Sequence, residues 1–167
     1  FYRNLSPEDV QIKAFKEQIE LAKKLNLPIV VHIRNAYKKA LEILSEFGSV
    51  GKEEGMGLQG VLHCFSGDED EAKEALEMGF NLSFNGTLTY RNSKSAELVK
   101  KIPLSSILVE TDCPYLTPEP LRGKRNEPKL VRLVTEKIAE LSSLDTFEEI
   151  DEIFTQNAKD FFGIDLK

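Results

Sequence analysis

Gly60-Val61-Leu62-His63-Cys64, the segment Asp68 to Met78, and Asn81-Leu82-Ser83-Phe84 together decide the fold of this chain. The first is a short, mostly apolar run and reads as a buried strand. The second carries Asp68, Glu69, Asp70 and Glu71 in its first turn, where carboxylates favour the positive end of a helix dipole. Gly79 stops that helix, and the third stretch is again a short strand. A strand, a helix and a second strand at this spacing predict a parallel βαβ unit with a right-handed crossover.

The same alternation extends in both directions. Upstream, Ile12, Phe15, Ile19, Ala22 and Leu25 recur at spacings of three and four, one face of a helix. Ser6-Pro7-Glu8-Asp9 predicts its start, with Ser6 as N-cap and Pro7 at the first helical position. Asn26-Leu27-Pro28 breaks it, Ile29-Val30-Val31-His32 reads as a strand, and Asn35 to Phe47 as a helix ended by Gly48. Downstream, Ser93 to Lys101 is expected to be helical and Ile107-Leu108-Val109-Glu110 to be the fourth strand. Two helices follow. One begins at Asn126-Glu127-Pro128 and turns Leu130, Leu133, Val134, Ile138 and Leu141 inward; the other opens on a Thr146/Glu149 capping box and runs to Phe162. Gly48 to Gly60 holds five glycines with Lys52, Glu53 and Glu54, but lacks the Gly-Lys-Ser/Thr ending of a phosphate loop. It joins a helix to a strand and reads as a surface loop away from the functional edge.

Composition narrows the function classes. The 167 residues suit one domain, and 41% hydrophobic with 30% charged residues excludes a disordered tail. No apolar run reaches the roughly 18 residues of a membrane span. Two cysteines argue against a disulfide scaffold and for a reducing, cytoplasmic setting. With 22 Lys and Arg against 28 Asp and Glu, the net charge is −6, so a polyanion would have to meet a local basic patch. The chain opens on Phe1-Tyr2-Arg3 without methionine and reads as a piece of something longer.

Chemistry-bearing residues gather at the strands' carboxyl ends, the edge where parallel α/β folds build their sites. The first strand ends at His32 with Arg34 beyond it, the second at His63, the third runs into Asn85-Gly86-Thr87, and the fourth into Glu110-Thr111-Asp112. Both histidines of the chain thus share one topological place with an aspartate, and imidazole nitrogen with carboxylate oxygen is a ligand set for zinc, manganese or similar ions. Strand alternation would turn Cys64 towards the helices if His63 faces inward, as packing rather than ligand, and would put Glu110 and Asp112 on one face if the strand stays extended. Arg34 could grip a phosphate through its fork of donors, or pair with an acid such as Glu110. Arg122, Lys124 and Arg125 are three cations in four residues, in the loop after the last strand, where they could meet a phosphate backbone or stand solvated. Tyr115 and Tyr90 belong to the rim, as packing or as base-stacking surfaces.

Several of these stretches resemble the TatD family of metal-dependent deoxyribonucleases: Pro28 to Arg34, Gly60 to Gly67, Leu82 to Gly86, Val109-Glu110-Thr111-Asp112-Cys113-Pro114-Tyr115-Leu116-Thr117-Pro118, and Arg122 to Pro128. The opening Phe1 to Pro7 resembles the segment that follows that family's central glutamate strand. The resemblance implies a TIM-type (β/α)8 barrel of the metal-dependent hydrolase superfamily, with two divalent ions (magnesium, manganese or zinc) at its carboxyl face. His32 and His63 match ligands of one ion. Asp112 matches the aspartate that contacts the other ion and helps activate the attacking water. DNA would be the substrate, and no protein partner is evident.

The family's His-x-His of the first strand and bridging glutamate of the fourth have no counterpart in this sequence. Residues 1–167 are therefore expected to be the C-terminal four strands and helices of one barrel domain, short by about 90 to 100 residues of a typical barrel of about 250. In such a piece, inner-face Val30, Val61, Phe84 and Leu108 would stand uncovered. Two other functions compete with the nuclease: a related hydrolase of small phosphoesters or amides, and a non-catalytic fragment.

Overall fold

A computed structural model of the chain describes residues 5–48, 58–142 and 146–164. The elements follow in the order α1 (Glu8–Leu25), β1 (Ile29–His32), α2 (Tyr37–Ser45), β2 (Gly60–His63), α3 (Glu69–Glu77), β3 (Asn81–Phe84), α4 (Ser95–Val99), β4 (Ile107–Val109), α5 (Val131–Ser142) and α6 (Phe147–Phe162). All four expected strands are present, and both β1 with β2 and β3 with β4 pair in parallel. No helix among the described residues is long and apolar enough to cross a membrane. The expected glycine-rich surface loop lies almost wholly outside the described residues.

Side-chain caps fix the starts of α3 and α6. Asp68 accepts from the Glu71 backbone N–H while the Glu71 carboxylate accepts from the Asp68 N–H, a reciprocal cap for α3. Thr146 caps α6 through the Glu149 N–H, and Gly163, at φ +61°, ends it. The start of α1 differs from expectation. Pro7, with extended ψ, is itself the cap residue, and Ser6 offers its backbone carbonyl to the Gln11 side chain instead of its hydroxyl to the helix. Beyond Pro128, a 3-10 turn over Pro128–Leu130 precedes α5, whose buried face is Val134, Thr135 and Ile138; Leu130, Leu133 and Leu141 are only half-buried.

The chain folds as two compact units. In the first, which runs through β2 and includes α3, Ile19 of α1, Leu41 and Leu44 of α2 and Val31 of β1 form the apolar interior. Lys23 donates to the Phe47 carbonyl, tying α1 to the end of α2. The Phe80 ring lies so close to Gly60 that a Cβ there would overlap it, which fixes glycine at the start of β2. In register, Ile29 faces Gly60, Val30 faces Val61, and His32 faces His63.

The second unit holds Cys64–Ser66 and everything from Leu82 onward. The Phe65 N–H donates to the Ser83 carbonyl, and the Phe65 ring meets Phe84 edge-on at 6.4 Å. The Asn157 amide of α6 donates to the Leu104 and Ile107 carbonyls at the start of β4. Ser83 is registered with Leu108 and Phe84 with Val109, so Phe84 and Leu108 point to opposite faces of the pair.

That register corrects the expected inner face. Of the four side chains expected to stand uncovered, Val30 alone does, at 58% exposure; Val61, Phe84 and Leu108 are buried. Phe84 belongs to the other face with Leu82, against Phe65. Val61 is flanked by Val30 rather than standing at the open side of β1.

Candidate active site

The two histidines come together by register alone. His32 and His63 are the last residues of β1 and β2 and are paired across the ladder. Their ring centroids are 5.5 Å apart, with the planes inclined at 48°. His32 is exposed and shares its face of β1 with exposed Val30, while Val31 and Ile33 turn into the interior. Arg34 is also exposed and lines, with His32, Phe15 and Lys39, a cavity of about 240 Å³.

In the second unit, the strand-end residues form a hydrogen-bonded cluster around Asn85, which is 1% exposed. Its carbonyl oxygen accepts from the Thr87 backbone N–H at 3.1 Å and the Thr87 hydroxyl at 2.8 Å. Two donors on that side fix the amide's orientation. Its NH2 group is thereby aimed at Asp112 Oδ2 (2.8 Å), Glu110 Oε1 (3.5 Å) and the Cys64 sulfur (2.9 Å). The Ser83 hydroxyl donates to Glu110 Oε2 at 2.5 Å and accepts from the Cys64 N–H at 3.3 Å. These amide and hydroxyl donors bring two carboxylate side chains together, and carboxylate oxygens are ligands for divalent cations.

Of the two expectations from strand parity, the one for Glu110 and Asp112 loses its condition of an extended strand, and the one for Cys64 is overturned. β4 ends at Val109, and Asp112 has a left-handed φ of +53°, so alternation does not carry as far as the aspartate. Glu110 and Asp112 still converge, because Asn85 reaches both. Cys64 likewise leaves the strand geometry at φ +51°, and its sulfur turns into the acid cluster, not towards the helices. Burial, with the nearby charges of Asp112 and Glu110, pushes its pKa up to about 11 against the opposing Asn85 hydrogen bond. The side chain is therefore a neutral thiol near pH 7.

Gly86 follows Asn85 because the chain from Leu116 to Pro118 passes directly over it; a Cβ would run into the Leu116 carbonyl and the Pro118 ring. The loop is anchored further by the Asn126 amide, which donates to the Thr111 and Tyr115 carbonyls at 2.6 Å each. Of the basic residues of the loop, Arg122 stacks on the Tyr90 ring at 4.1 Å, and Arg122, Lys124 and Arg125 are all exposed. Tyr90 donates its hydroxyl to the Thr117 carbonyl, and Tyr115 is 74% exposed. The sequence around Ser83 and Asn85 carries no motif that assigns them a role; the signal it offers is that Asn85 stands at a strand end just as the histidines do.

Residues 1–163 match the model of the TatD related DNase family. A Bacillus subtilis protein described as the uncharacterized metal-dependent hydrolase YabD is 48% identical over 165 residues, covering 98% of this chain and 62% of its own length. The 3'-5' ssDNA/RNA exonuclease TatD of Citrobacter rodentium is 34% identical, over all of this chain and 63% of its own. The crystal structure of YjjV, a TatD homologue from Escherichia coli K12, superposes with a TM-score of 0.79 at 28% identity, covering 96% of this chain and 61% of that one. The chain thus spans about six-tenths of the length of these relatives. The family match runs through residues 1–163 and lends no support to a restriction to the last four strands of a barrel. This chain belongs to the TatD-related DNase family.

Proposed function

We propose that the protein hydrolyses phosphodiester bonds of DNA with a metal-activated water. The observation that carries this is the convergence of Glu110 and Asp112 on one buried amide. Two carboxylates gathered in this way offer the oxygen ligands that a divalent cation takes. In the first unit His32 and His63 would supply imidazole ligands, and in the second Asp112 and Glu110 would supply carboxylate oxygens. The donor chemistry fits zinc or manganese, and magnesium at the oxygen-rich side. When bound, the metal acidifies a water molecule and offsets the charge that builds on the phosphoryl oxygens.

The chain's own residues do the rest. Asp112 takes the water's proton or orients it, and Asn85, locked by Thr87, keeps the aspartate's Oδ2 in place. Ser83 holds Glu110 in one orientation. The same reading takes the fold as part of an eight-stranded (β/α) barrel, supported by the likeness to YjjV, and the 3'-5' exonuclease among the relatives supports attack from a strand end.

The test is a hydrolysis assay with manganese, magnesium or zinc against single-stranded DNA, RNA and a small phosphodiester, with chelator controls. Metal-dependent DNA cleavage is the expected result. Turnover confined to the small ester would favour a small-substrate hydrolase instead.

A further inference from the structure

A second recess opens in the unit that carries the carboxylates. Its volume is about 400 Å³, and Thr87, Tyr90, Arg91, Ser93, Lys94 and Arg122 are among its lining residues. Its wall connects to the acid cluster in two hydrogen bonds: the Thr87 hydroxyl donates to Asn85, and Asn85 donates to Asp112.

Several cations of the described surface are answered at close range: Lys39 by Glu42, Lys100 by Glu97, Arg132 by Glu136 and Lys137 by Glu140. Among the described residues, neither Arg91 nor Lys94 has a carboxylate partner, and Arg122 meets Glu119 only at 4.0 Å. Three cations therefore face one hollow with almost no local neutralisation, on a chain of net charge −6. Arg122 is also pre-positioned. Its guanidinium lies on the Tyr90 ring, and that ring is held by its hydroxyl's bond to the Thr117 carbonyl. Stacking occupies the face of the guanidinium and leaves the in-plane N–H donors for an anion. The hydroxyls of Thr87 and Ser93 add neutral polar groups to the lining.

We propose that this recess is a phosphate-binding subsite that receives a phosphate of the nucleic-acid strand neighbouring the one cleaved, with Arg91, Lys94 and Arg122 as its cationic contacts. The assignment rests on the nuclease reading above and adds Arg91 and Lys94, which lie outside the Arg122–Lys124–Arg125 cluster. Both are exposed side chains, so their truncation should leave the fold intact.

The test measures binding of a fluorescein-labelled oligothymidylate to the chain by anisotropy, in chelator so that no cleavage occurs. It compares the unaltered protein with Arg91→Ala, Lys94→Ala, Lys94→Arg and, as a comparator, Lys137→Ala. For single strands each lost phosphate contact lowers the log–log salt slope by about 0.7, which at 0.1 M salt is a loss of about fivefold in affinity. That loss is expected for Arg91→Ala and for Lys94→Ala, whereas Lys94→Arg and Lys137→Ala should bind as the unaltered chain does. A loss seen only with a 5'-phosphorylated strand assigns the subsite to a terminal phosphate; a loss also seen with a 5'-hydroxyl strand assigns it to an internal one. Unchanged affinity in both alanine variants overturns the proposal, and so does an unaltered chain that does not bind the strand. Manganese-dependent cleavage is scored separately: its absence breaks the nuclease reading, while the binding series still decides the subsite.

Discussion

The ends of β1 and β2 and the ends of β3 and β4 position the proposed metal ligands in different ways. His32 and His63 need only the parallel register, which sets their rings side by side. Glu110 and Asp112 lie beyond the end of β4, one of them in a left-handed backbone conformation, and a buried amide draws them together. Strand pairing therefore positions the imidazoles at little cost, since the ladder exists anyway. Positioning the carboxylates requires a dedicated network whose members are themselves buried and oriented. The two regions should respond differently to mutation.

The largest expected effect is on catalysis. Asp112→Asn keeps the shape but removes the charge, so the DNA hydrolysis proposed here should fall by about 10³-fold. The thermal midpoint should remain near that of the unaltered chain. Activity within about tenfold of the original would refute the role given to Asp112.

Stability gives the next contrast. Asn85→Ala leaves carboxylate and thiol acceptors without their common donor in a buried setting and should cost about 2–3 kcal/mol in urea melts. His32→Ala, at an exposed strand end, should change stability by less than about 0.5 kcal/mol. Equal costs at the two sites would remove the distinction between register and network. Gly86→Ala tests the loop that crosses the cluster. Its methyl group would collide with the Leu116 carbonyl and Pro118, so a loss of about 1–3 kcal/mol is expected, with weakened metal binding. A neutral outcome would show that the loop can shift away freely.

The smallest effect is chemical. Cys64 is held as a thiol in the acid cluster, whereas Cys113 is exposed. Iodoacetamide at neutral pH, with the sites read by peptide mass mapping, should modify Cys113 at least about tenfold faster. Faster labelling of Cys64 would mean that the cluster is open to solvent.

Much of this was legible before the structure. The apolar periods of Ile12 to Leu25 and of Asp68 to Phe84 led to the right elements, because short apolar runs between capped helices leave few alternatives. His32 and His63 stood out because strand ends are topologically equivalent positions. The faces were less readable. Phe84 was assigned to the wrong side because the sequence does not reveal how β3 registers with β4, and a one-residue offset exchanges the faces. Cys64 and Asp112 escape parity for a related reason: both adopt positive φ beyond the ends of their strands, Cys64 directly after β2 and Asp112 three residues after β4, and neither is a glycine that would signal it. Asn85 was passed over because its role lies in long-range contacts, 25 and 27 residues away along the chain.

The proposed reading puts metal ligands at two places, the His32–His63 pair of the first unit and the Asn85-centred acids of the second. Manganese, being paramagnetic, broadens nuclear resonances close to it, so the direct measurement is a titration followed in nitrogen-labelled protein. The His32 and His63 rings and the Asn85 side-chain amide should broaden together at the first additions of manganese. The Asn157 amide, bonded at the start of β4, should respond later. Imidazole and Asn85 signals that stay sharp, or that broaden no sooner than Asn157, would contradict the account.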